Sequence, residues 1–391
     1  MIQNRIGPSV ERENFYGRKE KIDQAWLELK DRNSLVISAP RRVGKTSFAK
    51  KMMELAEQQA WKSVYLDIEG LHDEKEFAQL LSQKLEEHRN FAIKGWNNMV
   101  DYFQSLQAKI STPEGMEFEI KLQKQIQEQQ RKVEKLLRNY SDFPLIIVID
   151  ELAVFLNALL KKDSKQPQIS RVEKFMEWLR SLRMDTKSHQ VWIFCSSIGI
   201  ETFMSVYELS NTINDLHLFK IDALPPEEAM GLLSALCESY QIQLTEDVKR
   251  YVLDQIDWAI PYYIQLIFGE IRNLGIPKNV VLSTAHVDQA YQRLLIPHNF
   301  SGMEQHFKQY PQFSEYQKNI LSLLAKNPDG LLRNKIKSCF MPLHTSKNVE
   351  GILTQCLQLL QDEGYIICNE KHKYQFRCKL FRDYWKKKYI I

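Results

Sequence analysis

Between Ala39 and Thr46 the chain reads A-P-R-R-V-G-K-T, which matches the phosphate-binding pattern G-x-x-x-x-G-K-[ST] except for alanine in place of the opening glycine. The chemistry of such a loop needs few parts. The backbone of Ala39, Pro40, Arg41, Arg42, Val43 and Gly44 wraps phosphate oxygens. The helix opening at Lys45, with Thr46 and Ser47 in its first turn, presents its positive end. Lys45 reaches the β and γ phosphates, and the Thr46 hydroxyl is placed for Mg²⁺. The first glycine permits a tight turn, and alanine adds one methyl. Gly44, where backbone comes nearest to phosphate, is intact, so the loop is expected to bind nucleotide. Arg41 and Arg42 add positive charge beside it, a solvated position being the alternative.

A hundred residues on, L-I-I-V-I ends on Asp150-Glu151. Paired carboxylates at the end of an apolar strand divide the remaining work. Asp150 holds the metal, and Glu151 orients and deprotonates an attacking water. Charges that merely cap a strand are the alternative. Ser197, just past the run V-W-I-F, is placed to contact a γ-phosphate or the water; otherwise it is a turn residue.

These residues need a scaffold. Leu35–Ser38, Ser63–Ile68, Leu145–Ile149 and Val191–Phe194 are short apolar runs, each separated from the next by helical periodicity. Such strands predict an α/β fold, a parallel sheet covered on both faces. Residues 108–122 alternate around Pro113-Glu114-Gly115 and predict a hairpin. Residues 121–140 predict a charged helix with one apolar stripe, packed on its own domain, a partner-binding helix being the alternative. Past Leu224-Pro225-Pro226, a step that suits a domain joint, the pattern is wholly helical to about Leu295.

Beyond Phe313 the spacing predicts a helix over 316–326, a turn at 327–330, a short helix over 332–337 and a longer one over 347–363 stopped by Gly364. Two strands, 365–368 and 374–376, then pair across a polar tip. Three helices and a two-stranded wing describe a winged helix-turn-helix, which commonly sets its long helix in a DNA major groove. That helix carries Lys347, Asn348, Glu350, Gln355, Gln358, Asp362 and Glu363 and is not strongly basic. Positive charge gathers later, at Lys371, Lys373, Lys386, Lys387 and Lys388, so phosphate contacts to duplex DNA are expected there, a protein-interaction module being the alternative. Phe381, Tyr384 and Trp385 form the packed face of the last helix.

Bulk properties bound the rest. The 391 residues carry 44% hydrophobic and 26% charged side chains and a formal charge of +4, too small by itself to imply nucleic acid. No basic-plus-apolar N-terminal segment or membrane-length run occurs, so a cytoplasmic location without membrane contact is expected. The six cysteines form no C-x-x-C pair and are expected to be reduced, without a metal site.

The segment N-F-Y-G-R-K-E at 14–20 resembles a box of the archaeal-type ATPase family, a prokaryotic branch of the STAND NTPases close to the AAA+ enzymes. The loop P-R-R-V-G-K-T-S, the strand L-I-I-V-I-D-E, the stretch S-S-I-G-I-E at 196–201 and I-P-Y-Y-I-Q at 260–265 are similar to its other motifs. The resemblance covers the chain to about residue 300. With the patterns above, it gives a P-loop NTPase core over 1–224 with an insertion near 90–140 and a helical lid over 225–305, followed by the winged helix-turn-helix read from spacing over 310–391. It also implies ATP and Mg²⁺, with Ser197 as a sensor, Tyr16 and Arg18 near the adenine, and Pro261 linking nucleotide state to the lid. Ala259 departs from the G-x-P motif of the family. Arg180 and Arg183 are candidate arginine fingers, with ion pairing as the alternative.

Together these readings predict a slow ATP-hydrolysing switch. It would form a homo-oligomer in at least one nucleotide state, and act on DNA or an effector protein in trans, in defence against mobile elements or in DNA handling. The rival is a DNA-binding regulator that holds nucleotide as a structural ligand.

Overall fold

Aliphatic runs too short for helices, bounded by polar turns, have only a sheet in which to bury both faces. The computed structural model describes residues 1–90, 116–140, 144–161, 168–185, 189–196, 199–296, 300, 304, 307, 310–340 and 349–390. In order, α1 (Lys19–Lys30), β1 (Leu35–Ser38), α2 (Lys45–Gln58), β2 (Lys62–Asp67), α3 (Glu74–Asn90) and α4 (Met116–Arg138) lead to β3 (Leu145–Asp150). Then come α5 (Leu152–Lys161), α6 (Ile169–Arg183), β4 (Gln190–Cys195), α7 (Ile200–Val206) and β5 (His217–Lys220). The strands form one sheet in the order β2-β3-β4-β1-β5, every neighbouring pair parallel. All residues of β3 are buried, as a central parallel strand requires.

Helices cover both faces. Phe77 of α3, Phe155 of α5 and Phe175 of α6 pack edge-on and offset, with centroids 5.1–6.0 Å apart. Burying each ring contributes about 1.5–3 kcal/mol. The stripe Ile126, Val133 and Leu137 of α4 is buried in the core, and Tyr140 beyond its end donates a 2.5 Å hydrogen bond to the Leu85 carbonyl of α3.

Three expectations change. The hairpin predicted over 108–122 is replaced by helix from Met116 onward, while 108–115 lie outside the described residues. The period-2 run there consists largely of good helix formers, and helix propagation prevails. β5 was not expected: it buries one side chain, Phe219, and lies at the sheet edge, so its apolar signal is weak. The stretch after Pro226 is mostly helical, as α8 (Pro226–Tyr240), α9 (Glu246–Ile256), α10 (Pro261–Arg272) and α11 (Thr284–Leu294), but β6 (Gln243–Leu244) and β7 (Val281–Leu282) pair within it.

The C-terminal segment comprises α12 (Pro311–Lys326), β8 (Leu331–Leu332), α13 (Arg333–Phe340), α14 (Val349–Asp362), β9 (Ile366–Cys368), β10 (Lys373–Phe376) and α15 (Lys379–Tyr389). Its antiparallel sheet has three strands, β8-β10-β9, one more than the sequence suggests, because Leu331–Leu332 pairs with β10. Phe381, Tyr384 and Trp385 of α15 are buried, as their spacing predicts. The thiol of Cys378 donates to the Ile256 carbonyl and Tyr291 donates to Asp383, which ties this segment to α9 and α11. No described helix is long and apolar enough to cross a membrane.

Candidate functional site

Parallel strands direct their carboxyl ends to one edge, and the chemistry-bearing residues collect there. The loop after β1 turns through positive φ at Arg42 (66°) and Gly44 (105°) before α2 begins at Lys45. A side chain at Gly44 would meet open space; the left-handed backbone is what calls for glycine. Lys45 is buried, and its ammonium donates to the carbonyls of Ala39 (2.6 Å) and Pro40 (2.9 Å). Burial lowers its pKa, opposed by the charges of Glu151 and Glu363. Ala39, the departure from pattern, thus still closes the loop through its carbonyl. Val43 is buried, and the Ser47 hydroxyl accepts from the Val10 amide at 3.0 Å.

Two strands away, Asp150 ends β3, and its Oδ2 accepts from the Thr46 hydroxyl at 2.6 Å. A hydroxyl and a carboxylate oxygen so placed are a donor set suited to a hard divalent cation. Glu151 follows at φ 63°, a left-handed backbone that turns the chain sharply off the strand into α5. Sequence reasoning missed Tyr65. From β2, beside β3, its hydroxyl donates to the same Asp150 Oδ2 at 2.9 Å, and its ring lies 5.4 Å from the Lys50 ammonium. The only sequence signal was a tyrosine inside an apolar strand next to the acidic one. Tyr65→Phe is expected to weaken divalent-cation affinity about tenfold, as loss of an outer-shell partner typically does. Calorimetric titration of Mg²⁺ would measure it, and an unchanged affinity would show that Asp150 needs no such support.

The N-terminal box reaches the loop from behind. Arg18 is buried and donates to the carbonyls of Val43 and Asp222, both at 2.8 Å, while its amide donates to Glu228 at 2.7 Å. Burial lowers its pKa to about 10 despite Glu228 and Asp222. Tyr16 rests its hydroxyl against Gly231 of α8, where a methyl would collide with it. Pro261 opens α10, and the next residue, Tyr262, lies under the Arg42 guanidinium at 4.8 Å. Ser197 falls outside the described residues. Its neighbour Ser196 is buried and accepts from the Ala153 amide at 3.2 Å, fastening β4 to α5.

Arg183 is held by Asp215 at 2.7 and 2.9 Å with a side chain 1% exposed, which fits the ion-pair alternative. Arg180 donates to the Asn211 carbonyl at 3.1 Å and lies 3.7 Å from the same carboxylate, with its side chain partly exposed.

A contact across 322 positions closes the site's outer side. Glu363, just past α14, accepts from Arg41 Nε at 3.1 Å and is itself 2% exposed. Asp362 accepts from Thr202 of α7 and from Gln358. Gly364, at φ 79°, lies so close to Pro40 that an added methyl would overlap its ring. Lys347 and Asn348 lie outside the described residues, while Asp362 and Glu363 face the sheet domain and Glu350 pairs with Arg333 and Lys337. The C-terminal end of α14 is therefore not disposed to read bases. Of the tail lysines, Lys388 pairs with Glu304 at 2.7 Å, Lys373 is half-buried in β10, and Lys371, Lys386 and Lys387 are exposed.

No family model matches this sequence, and no curated protein does. Among solved structures the chain is similar to the Walker-type ATPase PABY2304 of Pyrococcus abyssi, at 16% identity and a TM-score of 0.67, over 98% of this chain and 99% of that one. It is also similar to the Aeropyrum pernix ORC2 protein in ADPNP–ADP complexes, at 12% identity and a TM-score of 0.54, over 98% and 94%. At these identities the likeness shows the fold alone, an α/β architecture with a parallel sheet and accompanying helical regions.

Proposed function

We propose that this chain is an ATP-binding and ATP-hydrolysing switch of the STAND/AAA+-like kind. The observation that carries the reading is the convergence of Lys45, Thr46, Asp150 and Glu151 at one edge of the sheet, with Thr46 and Asp150 oxygens 2.6 Å apart. Backbone amides of residues 39–47 and the start of α2 receive the phosphates, and Lys45 exchanges its loop carbonyls for phosphate oxygens. Thr46 and Asp150 would hold Mg²⁺, which when bound neutralises charge on the phosphates. Glu151 takes the proton from the attacking water and Ser197 senses the γ-phosphate. Tyr16 and Arg18 line the base side, and Pro261 carries the response to α10. Two proteins of the same fold, described as a Walker-type ATPase and as ADPNP–ADP complexes, agree with an adenine nucleotide.

In this reading residues 1–224 are the ATPase core, 225–305 the lid and 310–391 a winged helix-turn-helix that passes the nucleotide state to DNA or to an effector protein. The switch assembles as a homo-oligomer in one state. Exposed Lys371, Lys386 and Lys387 supply phosphate contacts. Mg²⁺-dependent ATP turnover by the purified protein, with and without duplex DNA, tests the proposal. Turnover is expected in both conditions and stimulation with DNA; its absence in both would leave a nucleotide-binding scaffold at most. Neutralising Lys386 and Lys387 is expected to weaken duplex binding and lower its salt dependence. Binding unchanged by that substitution would move the partner from DNA to protein.

A further inference from the structure

The junction of α14 and β9 brings an acid to a loop built for anions. The Glu363 carboxylate pairs with Arg41, and its other oxygen, Oε1, is buried without a hydrogen-bond partner among the described residues. A buried carboxylate with one oxygen unpaired is costly by itself. The phosphate loop is where positive charge offsets that cost: Arg41 lies at 3.1 Å, and Lys45 is near enough for its charge to act on the same carboxyl. Gly364 seats the turn against Pro40, and Trp258 closes behind it. Asp362 reaches Thr202 of α7, so the tip touches both the phosphate loop and the helix after β4.

Building on the nucleotide site argued above, we propose that Glu363 is a built-in competitor of nucleotide phosphate. Its carboxylate occupies Arg41 while the site is unfilled, and a triphosphate displaces it and frees the end of α14 from the sheet domain. Arg41 is then the switch residue: it serves the carboxylate in one state and the phosphates in the other. The competition is reciprocal, so whatever holds the tip down weakens nucleotide binding, and nucleotide weakens the hold of the tip.

The two sides of the pair predict different results, which separates competition from mere structural support. Glu363→Ala removes the carboxylate, and with it the acceptor that occupies Arg41. It is expected to tighten binding of a fluorescent non-hydrolysable ATP analogue about fivefold or more, the lower range of a typical coupling between sites. Without nucleotide it should speed hydrogen exchange at amides 359–366. Arg41→Ala should speed the same exchange but weaken analogue binding, because Arg41 also serves the phosphates. In the wild type, the analogue should raise exchange at 359–366.

Glu363→Ala that binds the analogue no more tightly than wild type, with exchange unchanged, would overturn the competition. So would weaker binding in Glu363→Ala and Arg41→Ala alike, the mark of a structural contact. Lys45→Ala is the control for the site. If neither wild type nor Lys45→Ala binds the analogue, the nucleotide reading fails, and the exchange of Glu363→Ala without nucleotide still decides whether the carboxylate holds the tip.

Discussion

Glu151→Gln is expected to lower ATP turnover by about 10²–10⁴-fold, the usual contribution of a positioned general base, while leaving nucleotide binding in place. In the proposed reading Lys45, Thr46 and Asp150 hold the phosphates and the metal, and the substitution leaves their side chains in place, removing only the Glu151 charge that acts on Lys45. Glutamine matches the volume of glutamate and keeps the left-handed backbone at φ 63° that already strains position 151. The variant should therefore fold, trap ATP and hold one state. Single-turnover hydrolysis beside an equilibrium binding assay separates the two effects. Loss of both together would mark Glu151 as a binding residue. Turnover unaffected by the substitution would place the base elsewhere. A wild type that binds ATP without turning it over would favour the regulator that keeps nucleotide as a structural ligand.

Raising the pH from about 5 to about 8 should release the α14 tip by a factor of about 10², following linkage between protonation and docking. Burial pushes the Glu363 carboxyl up to about 7, against the opposing charges of Arg41 and Lys45 and the Arg41 hydrogen bond. An undocked glutamate returns to the ordinary value of 4.5. The docked state therefore binds the proton more tightly. Docking is strongest below the ordinary value, where both states are protonated, and weakens as pH rises, by up to about tenfold per unit, until it levels off above the docked value.

The other groups facing Glu363 do not reverse this sign. Tyr310 and Tyr365 are pushed upward by burial and stay neutral throughout. Asp362 is itself raised by burial, opposed by its bonds from Thr202 and Gln358, and acts in the same direction. A spin-label distance between exposed positions 57 and 370, with Cys339 and Cys368 replaced, would follow release in the absence of nucleotide. In Glu363→Gln the slope should fall to what Asp362 alone supplies. A distance independent of pH in the wild type would mean that the tip stays docked whatever the charge of Glu363.

The two experiments probe parts of the site that differ in how far they can be read from sequence. A phosphate loop is written in consecutive residues, because backbone amides, a helix start and a lysine must lie within one turn of one another. A-P-R-R-V-G-K-T can therefore be read as a candidate for such a loop even with Ala39 out of pattern. The acidic pair is likewise legible, since five buried aliphatic residues ending on Asp150-Glu151 suit only a central strand and its carboxyl edge. The packed face of α15 and most helices follow from periodicity for the same local reason.

Other features depend on partners far along the chain. β5 buries one residue and is a strand only because β1 offers it an open edge. Residues 116–122 alternate like a strand and fold as helix, since the alternation is carried by residues that propagate helix well. Tyr65 became a support for Asp150 only once the register set β2 beside β3. Arg183 could be a finger or an ion-pair partner until Asp215 was placed beside it. The pairing of Arg41 with Glu363 is the extreme case. Each residue has an ordinary local setting, one in a loop and one at a helix end, and 322 positions separate them. The sequence by itself determined the loop, the strand that faces it and the acids at its end, because those are properties of short stretches of backbone. Which residues close over that loop was decided by tertiary structure alone, because a contact between distant segments depends on how the whole chain packs.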